Sequence, residues 1–500
     1  MNRRTFLSLP ALFASAFIPS STASSFCPSS ALVSPSGAYR ISTDGSIVRP
    51  IPPDFFGFNL EAVNFLRSLC IPGTQAIEPV VLQSLEPFSG AVYRYPGGTN
   101  SNYYDWRTSH SLKKTLANGQ PYQLFWLTYQ NYMKFLAQVG GKPWLVANLN
   151  GNVLGEEPIN SLAATARSWA TEALKYQNTG YPPVLRWELG NELDRGKDGW
   201  KSNKYTNRAV AIAAAIRDID PQSRFVAMQE DFDAHKTETA LQYNSAVATG
   251  LDAFHPDFEQ HLYFDGYRGK TIPQQISFLC NSMQAVQPAC TYAPGFWITE
   301  FAVTPSVPWS QFNYVRDARP TLTLAAAVSN ADFVIALSQI PQVKGAFIHD
   351  LAGDGAWGMF YRTPAGGVHP TLPYWAMRLL RESLLDEVLT TYTQSPNTSG
   401  YRGGYDLRAS ILTNKVRNHH AVWMSNRAGK DISVQLDIAT LAGKTVNATL
   451  KSLHHVNADV SDDLLGNNLL PEVASLNVAF NTSGTATIPV PANSISTLLL

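Results

Sequence analysis

Two apolar runs in this chain end in a glutamate. Val184-Leu185-Arg186-Trp187-Glu188-Leu189-Gly190-Asn191-Glu192 reads as a buried strand that stops at a glycine and then presents an amide and a carboxylate. Phe296-Trp297-Ile298-Thr299-Glu300 has the same form. A side chain at a strand tip is held by a rigid scaffold and still reaches solvent. Two carboxylates placed this way meet the needs of acid-assisted glycosidic cleavage, in which one protonates the departing oxygen and the other works at the anomeric carbon. That chemistry requires a fold that brings the two tips together.

The pattern between residues 55 and 351 supplies one. Short β-rich runs at 55–60, 91–95, 144–149, 184–189, 225–229, 258–263, 296–299 and 346–350 alternate with helical patterns. Their starts recur at intervals of roughly 35 to 55 residues, which leaves room for a strand, a helix and two loops in a (β/α)8 TIM barrel. Several runs are apolar on successive residues, as strands buried on both faces must be. Between them, Leu162, Ala166, Trp169, Ala170, Ala173 and Leu174 fall at helical spacing over 161–176, behind a Ser161 cap, and 122–139 and 319–339 read as two more helices. An open doubly wound sheet shares the alternation, but eight runs and no glycine-rich phosphate loop favour the barrel.

Beyond residue 385 the texture changes to short β runs, such as 421–424, 433–438, 445–450, 485–489 and a closing 494–500, separated by Gly, Asn, Ser and Asp. This reads as a C-terminal antiparallel β-sandwich. Residues 39–48 are also strand-like and suited to pairing with that distal sheet. The expected organisation is an export signal over 1–23, the barrel over 50–384, and a β-sandwich built from 28–49 plus 385–500.

In a barrel, strand tips remote in sequence become neighbours on one face. The tips here are Asn59 and Glu61; Arg94; Asn148 and Asn150; Asn191 and Glu192; Gln229 and Glu230; His261 and Tyr263; Glu300; and His349 and Asp350. All are polar. Trp357, between Gly355-Ala356 and Gly358, follows the eighth strand and can stack on a sugar ring. Gly97 and Gly98 suit a tight turn near the ligand; the G-x-x-x-x-G-K context of a phosphate cradle is missing.

On these residues a resemblance rests. Gly-Asn-Glu after strand four, Thr-Glu after strand seven and an aromatic eighth loop resemble the clan of retaining (β/α)8 glycoside hydrolases. Within it, Phe56-Gly57-Phe58-Asn59-Leu60-Glu61, Arg94-Tyr95-Pro96-Gly97-Gly98-Thr99 and Trp187-Glu188-Leu189-Gly190-Asn191-Glu192 resemble the heparanase and β-glucuronidase family, glycoside hydrolase family seventy-nine. The α-L-arabinofuranosidases of family fifty-one come next. Leu193-Asp194-Arg195 departs from the family-seventy-nine pattern, which often has proline after the glutamate.

The resemblance implies Glu192 as general acid/base and Glu300 as nucleophile, with Asn59, Glu61, Arg94, Asn191, His261, Tyr263 and Trp357 binding substrate. It also implies an oligo- or polysaccharide substrate, carrying uronic acid or arabinose. Retention of configuration by double displacement asks for carboxylates about 5 to 5.5 Å apart with separated proton affinities. Arg94 and Tyr263 are expected to hold Glu300 ionised. Burial beside Trp187 and the neighbouring negative charge are expected to raise Glu192. Two other readings use the same residues: a carbohydrate-binding protein on a barrel without turnover, and a transglycosylase.

Composition narrows the partners. Lys plus Arg equals Asp plus Glu at 38 each, so no basic surplus points to nucleic acid. Arg3-Arg4-Thr5-Phe6-Leu7, an apolar run to Ile18 and then Ser21-Thr22-Ala23 resemble a twin-arginine export signal, predicting a periplasmic or secreted product. No later stretch reads as a membrane span. No Cys or His spacing matches a zinc site, so neither metal nor cofactor is expected. Of the four cysteines, Cys280 and Cys290 are near enough in sequence to bridge, leaving Cys27 and Cys70 to pair or stay free.

Overall fold

The computed structural model describes residues 37–111, 127–151, 157–195, 199–230, 237–266, 270–304, 319–352, 357–363, 366–461 and 469–500. The expected export signal and Cys27 lie outside them. The described chain enters through β1 (Tyr39–Pro50), a strand of the distal sheet, and then builds the barrel.

Eight parallel strands close on themselves in sequence order: β2 (Phe56–Asn59), β3 (Val92–Tyr95), β4 (Lys142–Ala147), β5 (Arg186–Leu189), β6 (Phe225–Met228), β7 (Asp257–Phe264), β8 (Phe296–Val303) and β9 (Val343–Ile348). Each expected run overlaps one of them. Helices return the chain over the outside: α1 (Ala62–Ser68), α2 (Pro79–Leu85), α3 (Tyr129–Val139), α4 (Ile159–Asn178), α5 (Ser202–Arg217), α6 (Thr237–Leu251), α7 (Ile272–Val286), α8 (Leu324–Ser338) and α9 (Leu372–Glu382). Of the α4 stripe, Leu162, Ala166, Trp169, Ala170 and Ala173 are buried against the barrel. Ser161 is not the cap; the helix starts two residues earlier behind Pro158, and Ser161 instead donates to Glu157.

The barrel interior is filled in layers. Val92, Trp144, Val226, Trp297 and Phe347 form an apolar cluster separate from the helix-facing core. The Trp144 ring meets Trp297 and Phe347 edge-on at 5.0 and 4.9 Å. Above this plug, Trp144 Nε1 donates to Glu188 Oε2 at 2.7 Å, and the filling turns ionic toward the strand tips. The barrel therefore carries a packed core beneath its C-terminal face and a polar layer at it.

The distal sheet adds β10 (Glu387–Gln394), β11 (Leu407–Thr413), β12 (His420–Asn426), β13 (Ile432–Asp437), β14 (Thr445–His454), β15 (Glu472–Ala479), β16 (Thr485–Val490) and β17 (Ser494–Leu499). Their order is β15-β14-β17-β12-β11-β10-β1-β13-β16, antiparallel apart from the parallel β1–β13 pair. As expected of 39–48, β1 pairs with this sheet. Residues from β1 and from all eight of these strands share one apolar core, so the sheet folds over itself as a sandwich. Asp332 of α8, fully buried, accepts from Arg408 Nε at 3.2 Å and from Arg427 Nη2 at 3.4 Å, which ties barrel to sheet.

The disulfide expectation fails. Cys280 is disulfide-bonded while Cys290 and Cys70 are free thiols. Cys280 lies inside α7 and Cys290 beyond its end, and a helix rise of about 1.5 Å per residue carries the two further apart than a disulfide spans. Among the described residues no helix is long and apolar enough to cross a membrane.

Candidate active site

Arg94, at the end of β3 and fully buried, organises the tips. Its Nε and Nη2 donate to the two oxygens of Glu188 at 2.8 and 2.5 Å. Nη1 donates to Asn59 Oδ1 at 2.8 Å and to Glu300 Oε1 at 2.7 Å, and Nη2 also reaches Asn191 Oδ1 at 2.6 Å. A planar guanidinium satisfied this completely has one available position. One residue on β3 thus fixes groups on β2, β5 and β8.

Glu300 sits on β8 with its second oxygen toward the opening. Oε2 accepts from Tyr263 Oη at 2.7 Å and lies 3.5 Å from His261 Nδ1 and 3.7 Å from His349 Nδ1. Burial opposes its ionisation, but the charge of His261, that of His349 when protonated, Arg94 and the Tyr263 hydrogen bond together outweigh it. They hold the carboxyl well below the ordinary range.

Glu192 follows β5 through Gly190, whose φ of +83° turns the chain at the tip. Its Oε1 lies 2.7 Å from His261 Nδ1 and also accepts from Arg195 Nη1. One carboxylate oxygen of Glu192 and one of Glu300 lie within 4.8 Å of each other, with His261 Nδ1 between them. The two sequence-predicted carboxylates therefore face one space.

The expectation that Glu192 is raised is overturned. Burial pushes it up, yet Arg195 and His261 more than reverse this and leave it below the ordinary value. Trp187, the expected apolar neighbour, packs on Trp169 of α4 at a ring distance of 5.3 Å, on the helix side of the barrel. His261 is the counterpart: burial opposes its charge, and Glu300, Glu259 and Glu192 together push it up to about 9. The opposite shifts favour the proton on His261 Nδ1, 2.7 Å from Glu192 Oε1, and the two groups titrate as a pair.

Asn191 accepts Arg94 through Oδ1, while its buried Nδ2 has no partner among the described residues. A donor left open beside the two carboxylates is suited to an oxygen of a bound ligand. Asn59 spends its amide on Arg94 and on His349 Nδ1, the latter at 2.7 Å, so it acts through those side chains. Trp357 is partly exposed; its Nε1 donates to Val303 O at 2.6 Å and its ring lies 5.8 Å from that of Tyr263. Glu61 stands at the rim, 4.0 Å from His349 Nε2, and accepts from Asn64. Gly98 lies against it: a Cβ there would come within 2.6 Å of Glu61 Oε1, and φ is +60°.

Not every polar tip serves the site. Asn148 Oδ1 accepts the backbone N–H groups of Asn150 and Gly151, Gln229 accepts Ser282 Oγ at 2.8 Å, and the Glu230 N–H donates to Asn244. These three hold loops. Conversely, Glu188, Glu259, Thr299 and Asn102 belong to the network although none is among the strand-tip residues expected to bind substrate. Asn102 Oδ1 accepts the Asn191 N–H at 3.0 Å. The signal for Glu188 and Glu259 was present: a glutamate inside a run buried on both faces needs an internal cation or proton.

Donor atoms of Glu188, Glu259 and His261 cluster within 4.8 Å, as do those of Glu192, His261 and Glu300, and those of Glu61, His349 and Asp350 at the rim. In the first two groups Arg94, Arg195 and His261 already bring positive charge to the carboxylates, so the clusters read as acid–base networks.

No family model and no curated relative matches the sequence. Solved structures do match. AbfB, a family 51 α-L-arabinofuranosidase from Bifidobacterium longum, superposes with a TM-score of 0.73 at 16% identity, covering 92% of this chain and 99% of that one. The GH51 arabinofuranosidase from Xanthomonas axonopodis pv. citri gives 0.71 at 15%, covering 92% and 100%. CelM2, a bifunctional glucanase-xylanase from a metagenome library, gives 0.59 at 11%, covering 92% and 99%. At these identities the likeness establishes the fold: a TIM barrel with its β-sandwich. The family 51 enzymes share that fold, and the family seventy-nine resemblance is not supported.

Proposed function

We propose that this chain is an exported, periplasmic or secreted, retaining glycoside hydrolase with Glu300 as nucleophile and Glu192 as acid/base. The observation that carries the reading is the pair of carboxylates on the fourth and seventh barrel strands, within 4.8 Å and facing one space. Their separation suits direct attack, since an inverting pair stands about 6.5 to 9.5 Å apart to admit a water.

Glu300, ionised and steadied by Arg94 and Tyr263, attacks the anomeric carbon as the bond to the departing oxygen breaks. The proton for that oxygen is the one held between His261 Nδ1 and Glu192 Oε1. Substrate over Glu192 displaces Arg195 and water, which raises the carboxylate's proton affinity and draws the proton onto it. Glu192 then protonates the leaving group. In the second half it takes a proton from water, whose oxygen attacks the glycosyl-enzyme and frees Glu300. Asn191 Nδ2 donates to the sugar 2-hydroxyl, a contact that tightens in the transition state, and Trp357 offers its ring as a wall.

Between the two sugar classes, a neutral arabinofuranoside is favoured. Arg94 is consumed by protein carboxylates, Arg362 is bound to Glu78 and the Cys70 carbonyl, and Arg195 is paired with Glu192, so uronate recognition competes with existing pairs. Lys197 and Arg268 lie outside the described residues. The matched family 51 enzymes carry arabinofuranosidase in their names, which agrees. A panel of aryl glycosides tests this: α-L-arabinofuranoside is cleaved and β-D-glucuronide is not. A mechanism-based fluorosugar followed by peptide mapping places the label on Glu300; sugar binding without label would sink the hydrolase reading.

A further inference from the structure

A third carboxyl stands behind the reacting pair. Glu259 precedes His261 by two residues on β7, so both side chains point to the same face of the strand. Its Oε2 lies 3.3 Å from His261 Nε2 and accepts from Thr299 Oγ1 at 3.0 Å, and Thr299 Oγ1 is itself 3.1 Å from Nε2. His261 is thus gripped at both nitrogens, by Glu192 on the side of the opening and by Glu259 with Thr299 from beneath. The reaction above uses only the first grip.

We propose that Glu259 is a positioning residue for the acid/base step: it fixes the His261 ring through Nε2 and sets how firmly the Glu192–His261 pair keeps its proton. This rests on the reading of Glu192 and Glu300 as the reacting pair.

The surroundings give the direction of the effect. Around Glu259 and His261 stand Arg94 from β3, Glu188 from β5, Tyr205 from α5, Tyr263 from β7, Glu300 from β8, His349 after β9, and Glu192 with Arg195 after β5. Burial and then Glu188 push Glu259 up to about 8, against His261, Arg94 and Thr299. Below that pH it is a neutral acid. Above it, a buried carboxylate faces Nε2 and favours the imidazolium, so the pair keeps its proton further into alkali than it would alone.

Glu259→Gln keeps the shape and removes the charge. In 15N-histidine NMR of the whole protein without substrate, with His261 assigned by comparison with His261→Gln, wild-type His261 is expected to stay protonated past pH 8. In Glu259→Gln it should lose its proton about one unit lower. The alkaline limb of kcat/KM should move down in step, with KM at pH 6 unchanged. An identical His261 titration in wild type and variant overturns the proposal and makes Glu259 a filler. Should Glu259→Gln not fold, Glu259→Asp draws the carboxylate back from Nε2; a His261 titration and alkaline limb unmoved there overturn it equally. Because the NMR titration involves no turnover, it stands apart from the hydrolase reading, which fails instead if the fluorosugar leaves Glu300 unlabelled.

Discussion

Arg195, three residues beyond Glu192, donates to the same carboxylate oxygen that faces His261. Both cations favour the ionised form of Glu192, with burial opposing them. In the proposed reaction, substrate dissolves the Arg195 contact before the proton moves across. Arg195→Gln removes one of the two charges, so the Glu192–His261 pair holds its proton more tightly. The alkaline limb of kcat/KM on an aryl glycoside is therefore expected at higher pH. An unmoved limb would show that the ion pair has no hold on the acid/base in solution.

The Arg94–Glu188 pair makes a separate prediction about stability. Both side chains are fully buried, and Arg94→Met leaves the Glu188 carboxylate with Trp144 Nε1 as its remaining hydrogen-bond donor among the described residues. Breaking a buried pair from one side costs about 3–5 kcal/mol, whereas replacing both members with apolar residues is often close to neutral. Arg94→Met is expected to lower Tm by several degrees, and Arg94→Met with Glu188→Leu to recover much of it without recovering turnover. Equal melting of the two variants would contradict the pairing.

Stability should also fall toward alkali. Glu259 is raised from 4.5 to about 8 and His261 from 6.5 to about 9, so both bind protons more tightly in the folded chain. Their contributions are present in full below the unfolded values and are lost as pH rises through the folded ones. Within those windows both groups draw stability down as pH rises. Urea unfolding of wild type and Glu259→Gln at pH 6, 7.5 and 9 checks this: the wild-type decline should be steeper. Parallel declines would remove Glu259 from the account.

Much of this was legible in the chain, for physical reasons. Parallel barrel strands are buried on both faces and announce themselves as apolar runs, so all eight could be located. Their tips then followed from connectivity, which is why Arg94, Tyr263, Glu192 and Glu300 could be grouped from sequence. What stayed hidden was direction. Nothing in Leu193-Asp194-Arg195 says that the arginine turns back onto Glu192, and that turn reverses the expected shift of the acid/base. Trp187 looked like its apolar neighbour, but strand alternation sends that ring to the opposite face. The distal β15 was faint because an edge strand with most residues exposed carries no apolar alternation.

Acid assistance can be separated from attack by leaving group. Glu192→Ala is expected to slow glycosides with poor leaving groups by orders of magnitude while sparing activated aryl glycosides, whose departing oxygen needs no proton. Added azide should speed the variant on activated substrates by attacking the glycosyl-enzyme in place of water, since an anionic nucleophile needs no base and frees Glu300 directly. Equal losses on both substrate types would remove Glu192 from that role.

The stereochemistry of the first product tests the reacting pair most directly. Proton NMR of early turnover on an aryl α-L-arabinofuranoside, read before mutarotation, should show the sugar released with the anomeric configuration of the substrate, as two successive displacements at Glu300 require. A product released with the opposite configuration would contradict the account, because no covalent intermediate could then have formed on that carboxylate.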